Sequence, residues 1–340
     1  MSKSAYASAG VDIDVMDKVL SKAKRYIKKT MTPDVVSDIG SFGGLHKSPG
    51  RGELLVTSID GVGTKLKVAA MAGRHDTVGQ DLVNHCTNDI LVQGARPLVF
   101  LDYVGTAKLQ PDVFVEVIKG LSKACCQNGC ALISGETAEM PGLYPKGEYD
   151  LVGAIVGTVS RKKVVTGEKI RPGDQIIGLA STGLQTNGYS LARKIIFEKA
   201  GLKIDDLLPG TKQTVAQTLL AVHASFLKPI NALMEVLTIT GMAHITGGGL
   251  VDNIPRVLPD GLCARIRRTS WQVPSVFKFM REVGGVDPDE MYRVFNMGVG
   301  YTVIVRAKDL EASMKILRSF RTRPNLIGVI EEGGENVILE

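Results

Sequence analysis

An aspartate, two glycines, a threonine and a lysine stand together in Asp60-Gly61-Val62-Gly63-Thr64-Lys65. Glycine lets backbone N–H groups approach phosphate oxygens, Lys65 supplies positive charge, and Asp60 supplies a hard oxygen ligand for Mg²⁺. These are the parts needed to handle a magnesium-bound polyphosphate. The apolar run Leu54-Leu55-Val56-Thr57-Ser58 before the motif reads as a buried strand, and Leu66 to Ala72 after it reads as a helix. The string Gly-x-x-x-x-Gly-Lys-Ser/Thr of a P-loop occurs nowhere, and a dinucleotide fingerprint would need glycine where this chain has Leu66. A strand-to-helix turn that needs glycine only for its backbone is the plainer reading of the segment taken alone.

Two further acidic segments weigh against that reading. In Asp81–Asp89, continuing to Ala95, Leu82, Cys86, Ile90 and Leu91 recur at helical spacing, while Asp81, Asn84, His85, Asn88 and Asp89 share the opposite side. That polar side carries no lysine or arginine, so it lacks the ion pairs of an exposed helix face and suits a divalent cation. In Ser134-Gly135-Glu136-Thr137-Ala138-Glu139, Glu136 follows the apolar run Cys130–Ile133. Ligand sites in α/β sheets gather at strand carboxyl ends, so Asp60 and Glu136 are expected to share a pocket; a solvated loop is the alternative for Glu136.

The elements that must position these groups fit two domains in 340 residues. A content of 44% hydrophobic and 22% charged residues is that of an ordinary globular protein. Only 5% is aromatic, which leaves few stacking platforms for single-stranded nucleic acid, and the net charge of +6 is spread along the chain. The densest basic cluster, Lys22, Lys24, Arg25, Lys28 and Lys29, reads first as the solvated face of an amphipathic helix. Five cysteines show no metal-ligand spacing, and free thiols fit a reducing compartment. With no apolar signal region and no run of membrane-spanning length, a cytoplasmic protein is expected.

Strands are expected at Glu53–Ile59, Leu98–Val104, Cys130–Ser134 and Leu151–Val159, with helices at about 64–72, 79–94 and 111–128. A polar, turn-forming stretch at Thr166–Asp174 divides the chain into 1–166 and 167–340. The second half restarts with a strand at Gln175–Ala180. Helices follow at about Tyr189–Ala200 and Val215–Leu237, and strands at Leu262–Ile266, Tyr301–Val305 and Asn325–Ile330. Two glycine-rich turns, Ser181–Tyr189 and His244–Leu250 with Gly247-Gly248-Gly249, each run from a strand to a helix start, a place where exposed N–H groups bind anions. None of the five histidines lies beside a serine or cysteine nucleophile motif, so acyl-enzyme chemistry is not expected. Phosphoryl transfer needs mainly metal, positioning and charge.

Taken in order, these segments resemble the aminoimidazole ribonucleotide synthetase (phosphoribosylformylglycinamidine cyclo-ligase) family of purine biosynthesis. The resemblance rests on Tyr6–Asp14, Asp60–Lys65, Asn88-Asp89, Gly135–Gly142, Asn187–Leu191, His244–Gly249 and Phe295–Gly298, which span nearly the whole chain. It implies an α/β N-terminal domain whose sheet is shared across a homodimer interface, and an α+β C-terminal domain closing the ATP cleft. The implied reaction converts formylglycinamidine ribonucleotide and ATP to aminoimidazole ribonucleotide, ADP and phosphate. Carried over residue by residue, Asp60, Asp89 and Glu136 become Mg²⁺ ligands, and Gly61, Gly63, Thr64 and Lys65 hold the triphosphate. Lys24 falls near the nucleotide, Asp102 contacts adenine, and Asn187, Gln185 and Gly247, Gly248 and Gly249 face the substrate. The family commonly carries histidine where this chain has Gln185, which cannot shuttle a proton near neutral pH. A small-molecule kinase of the same superfamily, such as thiamine monophosphate kinase, is the rival within the class; Gly135–Gly142 argues against it. A non-catalytic nucleic-acid-binding protein is the rival outside it, disfavoured by the scattered basic residues.

Overall fold

Two β-sheets follow one another along the chain. The computed structural model describes residues 52–340 together with 44–48, residue 50 and the isolated positions 5, 33, 34 and 36. Lys24, the basic cluster around it and the opening Tyr6–Asp14 motif lie outside the described residues.

The first sheet has the order β1-β2-β5-β3-β4. Its strands are β1 (Gly44–Lys47), β2 (Glu53–Gly61), β3 (Arg96–Thr106), β4 (Ala131–Glu139) and β5 (Tyr149–Ser160). Helices α1 (Lys65–Ala72) and α2 (Asp76–Leu91) connect β2 to β3, and α3 (Pro111–Asn128) connects β3 to β4. Only the β3–β4 pair, joined through α3, is parallel. The sheet is therefore mixed, as a helix crossover demands at one edge and as direct antiparallel neighbours allow elsewhere.

Side chains alternate across this sheet, and register decides which of them meet. One cross-strand row is Asp60–Gly153–Asp102–Gly135. It lies on the side covered by α2, because a Cβ at Gly153 would strike Phe100 and Leu82. The adjacent row, Gly61–Val152–Tyr103–Glu136, lies on the other side, as does Ile59–Ala154–Leu101–Ser134. Residues 140–144 pack on that second side at Tyr103 and Gly105, while Ile59 is 70% exposed there.

The covered side is tightly closed. Every residue of α2 but Asp76 is buried. A Cβ at Gly79 would run into the Val117 carbonyl, and one at Gly120 into the Asp76 carbonyl, so α2 and α3 cross almost backbone to backbone. Polar residues of α2 thus end up buried, and each needs a partner.

The second sheet has the order β11-β8-β10-β6-β9-β7, from β6 (Gln175–Ala180), β7 (Gly241–His244), β8 (Leu262–Ile266), β9 (Val299–Val305), β10 (Asn325–Glu332) and β11 (Val337–Leu339). Every residue of β9 is buried. The helices here are α4 (Tyr189–Arg193, continued as a π-helix over Lys194–Lys199), α5 (Val215–Leu219), α6 (Leu227–Val236), α7 (Gly249–Asn253), α8 (Ser275–Gly284), α9 (Pro288–Val294) and α10 (Leu310–Ser319). The single helix expected over Val215–Leu237 is two helices. Between them residues 220–226 leave helical geometry and lie along α2.

Candidate active site

The segment 220–226 is held to α2 through its backbone. Asp81 Oδ1 accepts from His223 N at 2.7 Å, Asn84 Nδ2 donates to His223 O at 2.7 Å, and Asn88 Nδ2 donates to Ala224 O at 2.8 Å while its Oδ1 accepts from Phe226 N at 2.9 Å. Positions 81, 84 and 88 share one helix face, which is why one segment meets all three. The oxygen-rich face of α2 is therefore largely a clamp between the two halves of the chain.

Lys65 belongs to the same joint. Its ammonium lies 2.7 Å from Asp81 Oδ2 and donates to Gln185 O at 3.0 Å and to Ala221 O at 2.8 Å, with both side chains of the pair fully buried. Burial pulls Lys65 down and Asp81 up from their ordinary pKa values, and each partner's charge opposes that. The triphosphate role expected of Lys65 competes with this arrangement, in which its three donors are taken up inside the protein.

The remaining members of the α2 face, His85 and Asp89, turn toward β2. His85 Nε2 donates to Asp60 Oδ2 at 2.7 Å and lies 3.9 Å from Asp89 Oδ2. Asp89 Oδ1 accepts from His244 Nδ1 at 2.7 Å, and its Oδ2 from the Ser58 hydroxyl at 3.0 Å. Thus Asp60 and Asp89 converge on one imidazole at the junction of the two sheets. Burial favours neutral His85, but Asp60 and then Asp89 outweigh it and push the imidazole up to about 9. Burial raises Asp60 in turn, and His85 more than offsets it, leaving that carboxyl below its usual range. His223 stacks into the same cluster; ring centroids are 5.2 Å apart for His85–His223, 4.9 Å for His85–His244 and 5.1 Å for His223–His244. Burial drives His244 down and His223 well down, the latter also under the neighbouring histidines.

Among the described residues, ligand atoms of His85, Asp89 and His244 fall within 4.8 Å of one another. The donor set suits a divalent cation only in part. Mg²⁺ takes oxygen ligands, which Asp60, Asp89 and Ser58 offer, whereas the two imidazoles would be bystanders to it.

Glu136 does not join this set. It sits within β4 on the second side of the sheet, three strands from β2, or about 14 Å at the usual strand spacing. One ion in this chain cannot reach both it and Asp60, so the expected third ligand is corrected. Asp102 is on the Asp60 side, two strands away, within β3 and not at its end, and burial holds its carboxyl above the usual range. A Cβ at Gly135 would strike its carboxylate.

The glycine turns have mixed roles. Gly63 adopts φ 68° with open space where a Cβ would stand, and Thr64 Oγ1 lies 3.2 Å from Ser190 Oγ. Gly61 N donates to Asp60 Oδ1 at 2.7 Å. Gly248 and Gly249 have φ of 96° and 60°, and a Cβ at Gly249 would strike the Tyr292 carbonyl, so steric need accounts for both. Gly247 differs. The Asn187 side chain lies beside it, and Asn187 Nδ2 is buried without a partner, a donor left for a ligand. Gln185 departs from expectation. Its side chain is 1% exposed and packs on His223 at 3.1 Å, not toward an open cleft.

His85, His223 and His244 were not assigned roles from sequence. The one available signal was the lack of lysine or arginine on the helix face of His85 and Asp89; Arg256, from the second half of the chain, lies near enough to Asp89 to act on its charge.

Two such domains meeting over a shared carboxylate–histidine cluster define a class. Residues 43–159 match "AIR synthase related protein, N-terminal domain" and residues 171–340 match "AIR synthase related protein, C-terminal domain". The chain belongs to the AIR synthase related family. Its full-length relatives carry a particular name, phosphoribosylformylglycinamidine cyclo-ligase. The one from Citrifermentans bemidjiense is 49% identical over 336 residues, covering 97% of this chain and 95% of that protein. The one from Thermoanaerobacter pseudethanolicus is 47% identical over 339 residues, covering 98% and 99%. The solved thiamine-monophosphate kinase of Stenotrophomonas maltophilia K279a shares the fold at 17% identity, with a TM-score of 0.64 over 93% of this chain and 94% of that one.

Proposed function

We propose that this chain closes the ring of formylglycinamidine ribonucleotide to give aminoimidazole ribonucleotide, with ATP converted to ADP and phosphate. The observation that carries the reading is the full-length identity of nearly half to cyclo-ligases, joined to a site where Asp60 meets His85 and the neighbouring Asp89 meets His244 of the other domain. In the chemistry proposed, the formamide oxygen takes the γ-phosphoryl group, a nitrogen of the amidine side attacks that carbon, and phosphate leaves with the former oxygen. The ring nitrogen gives up its proton as the ring closes. No covalent enzyme intermediate is required, in keeping with a sequence that lacks a nucleophile motif.

Asp60 and Asp89, with Ser58 beside them, are the groups assigned to Mg²⁺, which when bound would offset phosphate charge. Gly61, Gly63 and Thr64 are assigned to the triphosphate, and Asn187 and Gly247 to the substrate, on the strength of the unpartnered Asn187 amide. Lys24 and Asp102 remain proposed nucleotide contacts. The domain boundary is placed at 166/167. The open part of the first sheet's second side, with Ile59 exposed among Leu55, Ala154 and Leu101, is assigned to a second copy of the chain, since apolar sheet faces are ordinarily covered. No described helix is long and apolar enough to cross a membrane.

Incubation with formylglycinamidine ribonucleotide, ATP and Mg²⁺ tests the reaction. Aminoimidazole ribonucleotide formed in step with ADP is expected. A phosphorylated substrate that accumulates without ring closure would instead make the protein a kinase.

A further inference from the structure

The hydrogen bonds around His223 can be given protons in one consistent way. His244 Nδ1 is 2.7 Å from the Asp89 carboxylate, an acceptor, so the His244 proton sits on Nδ1 and its Nε2 is free to accept. His223 Nε2 lies 3.0 Å from that Nε2, so His223 must carry its proton there. Its Nδ1 then accepts from the Thr186 hydroxyl at 3.2 Å, and Thr186 Oγ1 accepts from His85 Nδ1 at 2.7 Å. His85 Nε2 donates to Asp60. The result is an unbroken chain from Asp60 through His85, Thr186, His223 and His244 to Asp89, in which no two donors face each other. Gln185, whose amide lies 3.1 Å from the same His223 Nε2, avoids facing that N–H with a donor when it is turned so that its oxygen shares the proton as a second, bifurcated acceptor.

We propose that His223 is a positioning residue for the ring closure: it holds His244 as the Nδ1–H tautomer aimed at Asp89 and so sets Asp89 relative to Asp60. The proposal rests on the function proposed above and goes beyond it, because His223 touches neither carboxylate. It also accounts for Gln185. Segment 220–226 places the His223 imidazole directly beside Gln185, and glutamine is left to accept a hydrogen bond from it. His223 acts without changing charge; its Nε2–H direction is what matters. Groups that orient the partners of a metal-binding carboxylate are typically worth about 10–100-fold in metal affinity or activity.

The test compares His223→Phe, which keeps ring size but loses both nitrogens, with His223→Gln, whose amide can donate to His244 and accept from Thr186. Wild-type product formation is established first, so failure of the functional reading shows there. The tautomer of His244 is read separately, from its ¹⁵N shifts in the nucleotide-free protein, and needs no activity. In His223→Phe we expect mixed His244 tautomers, a kcat lower by about 10–100-fold, a higher half-saturating Mg²⁺ concentration and an unchanged KM for ATP. His223→Gln should recover the Nδ1–H tautomer and most of kcat. Should the phenylalanine variant fail to fold, a glutamine variant with wild-type tautomer and Mg²⁺ response still supports the proposal, and one with mixed tautomers but full activity overturns it. Wild-type His244 shifts, or wild-type kcat and Mg²⁺ dependence, in a folded His223→Phe would overturn it as well.

Discussion

Replacing Asp81 by leucine separates the two roles open to Lys65. The Lys65 ammonium is fully buried, and without Asp81 only the carbonyls of Gln185 and Ala221 remain to it. The same change orphans the His223 N–H, whose acceptor is Asp81 Oδ1. Breaking a buried pair from one side costs about 3–5 kcal/mol, and the orphaned amide puts this case near the upper figure. At about 2–4 °C per kcal/mol for a domain of this size, Tm should fall by roughly 10–20 °C. The double variant Lys65→Met/Asp81→Leu should lose less than the sum of the two single changes, because it leaves no unpaired charge. Thermal and urea unfolding of nucleotide-free protein measure both quantities, and KM for ATP is determined well below each variant's transition. KM for ATP within about twofold of wild type is expected for the Asp81 variant. A Tm within about 2 °C of wild type, together with a KM for ATP raised tenfold or more in Lys65→Met, would refute the reasoning and return Lys65 to the phosphates.

Asp60→Asn and Asp89→Asn should each lower turnover by about a hundredfold or more at limiting Mg²⁺, the loss expected when a hard ligand is removed but shape is kept; near-wild-type rates in both variants would remove the metal assignment. His85 is raised from 6.5 to about 9 in the folded protein, so its stabilising contribution is complete below pH 6.5 and is lost as pH rises through about 9. The urea midpoint of metal-free protein should fall over that window, His85→Gln should flatten the fall, and an equal slope in both proteins would contradict the ion pair with Asp60. Sedimentation at micromolar protein should give a dimer, and Ile59→Lys on that open sheet surface should shift it toward monomer; an active wild-type monomer would end the assignment of that surface.

Much of this arrangement was legible as residue types. The Asp60 motif sits where a strand ends and a helix begins, and the acidic face of α2 is real. What faces each group was not legible. Asp81, Asn84 and Asn88 look like ligands in sequence because their partners are backbone amides and carbonyls of 220–226, which carry no sequence signature. The break that creates this segment contains neither glycine nor proline, and apolar spacing from Val215 to Leu237 runs straight across it, so His223 read as one more helical residue; the one mark of a restart is Pro229, in the first turn of α6. Glu136 failed for a different reason. Its distance from Asp60 depends on strand order β2-β5-β3-β4, and its side of the sheet on a register that local pattern does not fix.

The way segment 220–226 is anchored bears on how this active site can evolve. Ala221 O, His223 N and O, Ala224 O and Phe226 N make most of the contacts across the joint, with the Ser225 hydroxyl adding one to Asn128 Oδ1 at 2.6 Å, and these backbone groups are the same for every residue but proline, which lacks the N–H. Drift at position 223 to any residue but proline therefore leaves the docking of the two halves intact while presenting a new side chain to Gln185, Thr186 and His244. Such a strap works as an interchangeable mount. The side chain such a strap carries can change without the fold having to be solved again.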